Sequence, residues 1–139
     1  MTTSGLVNER LHPQLEDEIA PLKFLQLSPD RKIAYRHYQG TKKPTLLYVP
    51  GFFAHMNLRK TVILEDYAIR NGYSNVRYDQ ECTGQSTGSQ STIEFEHWLE
   101  DALAMVDQVC QGPVILVASS LGGWVRHFEI TTRIVLMTF

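Results

Sequence analysis

Two five-residue stretches, Thr45-Leu46-Leu47-Tyr48-Val49 and Val114-Ile115-Leu116-Val117-Ala118, run almost without a polar residue, and chain breakers bound them: Pro50-Gly51 closes the first and Gly112-Pro113 opens the second. A strand with one face in water alternates apolar and polar residues, whereas a strand that is apolar at every position needs cover on both faces. Two such strands in one chain call for a mostly parallel sheet with helices on both faces, joined by right-handed crossovers. With 139 residues the chain has room for one domain of ordinary size, so every element must share a single core. The fold class expected is α/β.

The remaining pattern fits that frame. Residues 1–20 lack periodicity and end in Glu16-Asp17-Glu18, which reads as a loose leader before a folded unit spanning 21–139. Leu22, Phe24 and Leu25, then Ser28-Pro29-Asp30, then Ile33 to Tyr38, read as strand, turn and strand. Leu58, Val62, Tyr67 and Ala68 allow an amphipathic helix from Leu58 to Asn71, with Gly72 placed as a left-handed C-cap. Val76 to Asp79 reads as a strand. Ser91-Thr92-Ile93-Glu94 has the spacing of a capping box and is followed at helical intervals by Phe95, Leu99, Ala102, Val106 and Val109. The β-forming run Arg133 to Phe139 suits a further strand beside Val114–Ala118, and an open edge there offers a surface for self-association.

Composition removes several classes of function. Thirteen basic and fifteen acidic residues leave a net charge of -2, with no basic cluster suited to nucleic acid. No apolar run approaches the roughly 20 residues of a spanning helix. Cys82 and Cys110 are too few for a disulfide framework, and no metal-ligand spacing or cofactor motif is present. Glu9, Glu16, Asp17 and Glu18 make the N-terminus unlike an Arg-rich transit peptide.

The chemistry lies after the second apolar run. Ala118-Ser119-Ser120-Leu121-Gly122 matches G-x-S-x-G except that Ala118 replaces the first glycine. A serine on a sharp strand-to-helix turn is thrust out at the carboxyl end of the sheet, and the crowded turn admits only tiny residues two before and two after it, here Ala118 and Gly122. Ser120 is the candidate nucleophile. The Leu121 N–H at the helix start, and the Phe52 N–H in the Pro50-Gly51-Phe52-Phe53 turn, are candidate donors to an oxyanion.

At this point the chain resembles a known family. Tyr48-Val49-Pro50-Gly51-Phe52, Val76-Arg77-Tyr78-Asp79 with Gly84-Gln85-Ser86, Trp98-Leu99-Glu100-Asp101, and Gly112 through Trp124 with its Ser-Ser-Leu-Gly-Gly-Trp string are similar to the α/β-hydrolases, most closely their mitochondrial palmitoyl-protein thioesterase branch. The resemblance covers roughly residues 22 to 124. It implies the N-terminal part of an α/β-hydrolase fold and a serine esterase or thioesterase acting on acyl esters, acyl glucuronides or acyl thioesters, S-acylated proteins among them. It also implies mitochondria, with the cytosol as the alternative that the acidic N-terminus suggests. Two positions depart from the family pattern: Ala118, and Cys82, which stands where the turn after the Val76–Asp79 strand carries a glycine. A positive φ at Cys82 would strain that turn.

On this fold the serine is followed by an acid and then a histidine. Only His127 and Glu129 follow Ser120 as such groups, on the helix expected to start there, where they face away from or beneath the serine. The triad base and acid are therefore expected to be missing, as in a C-terminally shortened hydrolase, and an inactive product acting through its sheet edge is the alternative function. His55, beyond the oxyanion turn, reads as an exposed loop residue; His97, His12 and His37 read as surface or packed side chains. Asp79 reads as a residue that ties down its own turn, and Cys82 as a surface thiol.

Overall fold

The computed structural model describes residues 13–89, 91–118 and 134–138. Six strands, β1 (Leu22–Ser28), β2 (Arg31–Tyr38), β3 (Lys42–Val49), β4 (Tyr73–Tyr78), β5 (Val114–Ala118) and β6 (Ile134–Thr138), form one sheet in the order β1-β2-β4-β3-β5-β6. β1 and β2 are an antiparallel hairpin turning at Pro29-Asp30, β2 pairs antiparallel with β4, and β4, β3, β5 and β6 run parallel. The helices are α1 (Pro13–Ile19), α2 (Arg59–Asn71) and α3 (Phe95–Ala104), the last continued by a π-helical turn, Met105–Val109.

The two apolar runs lie side by side in the sheet interior, in register from Thr45 beside Val114 to Val49 beside Ala118. Leu47, Val49, Val76, Tyr78, Leu116 and Ala118 share one core with Ala102, Met105, Val106 and Val109 of α3 and its π turn. Each large apolar side chain fully removed from water there contributes about 1.5–3 kcal/mol. Successive strand residues point to opposite faces, and Arg77, between Val76 and Tyr78, bonds Glu65 of α2. α2 and α3 therefore cover opposite faces, as the sequence requires. α2 stops at Gly72, whose φ of 81° lets its N–H reach the Ala68 and Ile69 carbonyls.

Three expectations need correction. Pro13–Ile19 is a helix rather than loose leader, because Glu16 is buried against Arg77 and Arg36 bonds Asp17 and the Ala20 carbonyl. The capping box is not formed: α3 begins at Phe95, Glu94 caps it without a side-chain bond, and Ser91 instead bonds Ser89 in a turn. Finally, Phe95, Leu58 and Tyr67 are exposed, and the buried stripes are Trp98, Asp101, Ala102 in α3 and Thr61, Val62, Glu65, Ala68 in α2. Each stripe carries a carboxylate paired with a buried or half-buried arginine, so an apolar template misplaces its phase.

Candidate active site

The carboxyl ends of β3 and β5 leave the sheet as neighbours, because Val49 pairs with Ala118. Phe52 lies three residues beyond Val49 and Ser120 two beyond Ala118, on strands about 4.8 Å apart. Ser120, Leu121 and Gly122 themselves lie outside the described residues, as do His12, His127 and Glu129.

The Phe52 side of the site is a turn in which the Ala54 N–H donates to the Gly51 carbonyl at 3.1 Å. Phe53 sits at its third position with φ 50°, in the left-handed region that a side chain occupies at about 1–2 kcal/mol. Within the described residues no hydrogen bond uses the Phe52 N–H. An unused amide on a strained turn at a sheet's carboxyl edge is available to a ligand.

The end of β4 pins this loop at several points. Arg77, fully buried, donates to the Met56 carbonyl and the Asn57 side chain, both at 2.9 Å, while it pairs with Glu65 and Glu16. Asp79 accepts the Met56 N–H at 2.7 Å with one oxygen and the Gln85 N–H at 2.9 Å with the other, so it ties its own turn to the loop that follows β3. Gln80, fully buried, donates from Nε2 to the Gly51 carbonyl at 2.7 Å.

The turn after β4 explains the odd cysteine. Cys82 has φ 67°, the left-handed conformation anticipated for a position where the family pattern has glycine. Gly84, at φ 50°, has no such freedom to vary: a Cβ there would lie 2.1 Å from the Asp79 carboxylate. Cys82 and Cys110 are both unbridged.

Beneath this turn lies a charged cluster. Asp101, fully buried, accepts the Glu81 N–H at 2.8 Å and pairs with Arg31 at 2.5 Å. Burial outweighs those two partners and pushes its carboxyl up to about 6. Glu81 reaches His97 Nδ1 at 2.6 Å, and its carbonyl accepts the Trp98 indole N–H at 2.9 Å. Above it Trp98, 2% exposed, meets Phe52, Phe53 and Phe95 with ring centroids 5.2–5.6 Å apart. Phe52, Phe53 and Phe95 remain 57%, 38% and 51% exposed, forming an aromatic shelf beside the free amide.

His55 is exposed and its Nδ1 accepts the Asn57 N–H at 3.1 Å. His37 is half-buried on β2, where burial and then the Lys23 charge lower its pKa. His97, expected to be a surface or packed side chain, is instead paired with Glu81. Gln80 and the Asp101 cluster escaped the sequence reading. The signal for Asp101 was a carboxylate three residues after Trp98, on the same helix face; Gln80 carries none, since a polar residue after a strand reads as loop.

A parallel sheet entered by an antiparallel hairpin, with a Pro-Gly turn after β3 and a small-x-Ser-x-Gly sequence that begins at Ala118, the last residue of β5, is the α/β-hydrolase fold, present here in part. No protein-family model matches the chain. It is similar to the palmitoyl-protein thioesterase ABHD10, mitochondrial, of Mus musculus, at 37% identity over 114 residues, 82% of this chain and 38% of that protein. The Rattus norvegicus protein of the same name is 35% identical over 112 residues, 81% of this chain and 37% of its own. The solved structure of alpha/beta hydrolase domain-containing protein 10 from mouse superposes with a TM-score of 0.75 at 32% identity, over 84% of this chain and 48% of that one. The chain thus spans less than half the length of the relatives it matches. Among the described residues no helix is long and apolar enough to cross a membrane, and no three His, Cys, Asp or Glu side chains gather for a metal ion.

Proposed function

We propose that the chain is a serine hydrolase of the esterase or acyl-thioesterase type, in which the Ser120 hydroxyl attacks an acyl carbonyl and the Phe52 and Leu121 N–H groups hold the resulting oxyanion. The observation that carries this reading is the Phe52 amide, which no hydrogen bond uses among the described residues, in the turn that follows β3, the strand in register with β5. The aromatic shelf of Phe52, Phe53, Trp98 and Phe95 favours an apolar acyl group, since such rings gain free energy by leaving water against one. Similarity to proteins named palmitoyl-protein thioesterase supports an S-acylated protein as substrate and mitochondria as location. Attack forms the bond from Ser120 Oγ to the acyl carbon and breaks the bond to the thiol or alcohol, which leaves with the hydroxyl proton; water then adds to the acyl carbon, frees the acid and returns a proton to Ser120 Oγ.

The test is turnover of a long-chain acyl thioester by the purified chain beside Ser120→Ala. Release of thiol by the wild type above that of Ser120→Ala is expected, at the low rate left when a serine site lacks its base and acid; equal release by both refutes the reading. A second reading has its own observation: among the described strands β6 is the outermost, paired on one side only. A chain that associates through that edge sediments with a concentration-dependent mass and has no Ser120-dependent turnover.

A further inference from the structure

Gln80 reaches from the turn after β4 to the peptide that carries the Phe52 N–H, 2.7 Å from the Gly51 carbonyl. Its side chain is wholly buried, and the atom facing the Gly51 carbonyl must be the amide nitrogen, because a carbonyl only accepts. The Gly51 carbonyl and the Phe52 N–H are the two ends of one planar trans peptide and point in opposite directions. Gln80 holds that carbonyl toward the protein together with the Ala54 N–H, the longer of the two bonds at 3.1 Å, and so aims the Phe52 N–H the other way. The bond also polarises the peptide, which strengthens the N–H as a donor.

Gln80 is itself held. Its carbonyl accepts the Thr83 N–H at 3.0 Å and the Thr83 hydroxyl at 2.7 Å, and the next N–H, that of Glu81, is taken by buried Asp101. Its Oε1 is buried with no partner among the described residues, so among them the amide is kept in place by the Gly51 bond. An acceptor left without a partner works against stability, a cost that a purely structural position would avoid with an apolar residue.

We infer that Gln80 is a positioning residue for the oxyanion hole: through Gly51 it sets the Phe52 N–H at the angle needed to meet the oxyanion. This rests on the serine-hydrolase reading above. Gln80→Leu is expected to lower kcat about 10- to 100-fold, the scale of a small displacement of a reacting group, with KM nearly unchanged. Gln80→Glu adds a signature that loss of packing does not produce: a carboxyl donates to Gly51 only while protonated, so activity of this variant falls as pH rises through its titration, in a limb the wild type lacks.

The experiment measures kcat, KM and their pH profiles for the wild type, Gln80→Leu and Gln80→Glu, with the carbonyl carbon resonance of Gly51 and the amide resonance of Phe52 recorded for each. A kcat loss with both resonances moved, and the added limb in Gln80→Glu, is the expected result. Unchanged kcat in a wild type that turns over, or unmoved resonances, overturns the role of Gln80. A wild type without Ser120-dependent turnover removes the hydrolase reading and the oxyanion role with it, and the resonances then decide whether Gln80 orients the peptide at all.

Discussion

Asp101 gives a pH dependence of known sign. The carboxyl, ordinarily near 3.8, titrates at about 6 in the folded chain because its burial outweighs the Glu81 N–H and the Arg31 charge. Between those two values the native state holds a proton that the unfolded chain has released, so stability from this group is full below about pH 4 and is lost as pH rises through 6. At roughly 1.4 kcal/mol per pKa unit the whole window carries about 3 kcal/mol, and about 2 kcal/mol of it falls between pH 4 and 7.5. Asp101→Asn removes the titration while keeping a side chain of the same size against the Glu81 N–H. Urea unfolding followed by tryptophan fluorescence at several pH values gives the two stability curves. Other carboxylates cancel in the difference, which is expected to shift in favour of the variant by about 2 kcal/mol over that range. Parallel curves would refute the claim that burial governs Asp101.

Two further perturbations test the scaffold around the site. Arg77→Met leaves Glu65 and Glu16 buried without their guanidinium and releases the Met56 carbonyl, so unfolding free energy should fall by about 3–5 kcal/mol, and adding Glu65→Met should restore part of it. Cys82→Gly relieves the left-handed strain at φ 67° and should raise stability by about 1 kcal/mol, whereas Cys82→Val should lower it; the midpoint of thermal unfolding orders the three proteins.

The strands that place the site were legible because their signal is local. Thr45–Val49 and Val114–Ala118 could be buried on both faces and little else, and the structure sets them side by side in register. The C-cap at Gly72 and the strain at Cys82 were legible for a similar reason, since one residue's backbone freedom decides each. α1 was not, because Glu16 is ordered by Arg77, 61 residues away, and an acidic run looks soluble until its partner is known. The capping box failed because Ser91 bonds Ser89 in a turn instead of the helix. Gln80 and Asp79 meet Gly51 and Met56 across 29 and 23 residues, so the support of the loop after β3 is a tertiary property that no local pattern announces. The serine motif stands on sequence alone, because Ser120 lies outside the described residues.

Covalent labelling tests the central claim most directly. The purified chain is treated with a fluorophosphonate, which needs an activated serine and a working oxyanion hole, and the adduct is located by mass spectrometry beside Ser120→Ala. The account predicts a single adduct on Ser120, absent from the variant. An adduct on another residue, or none in a chain whose near-ultraviolet circular dichroism shows it folded, would contradict it.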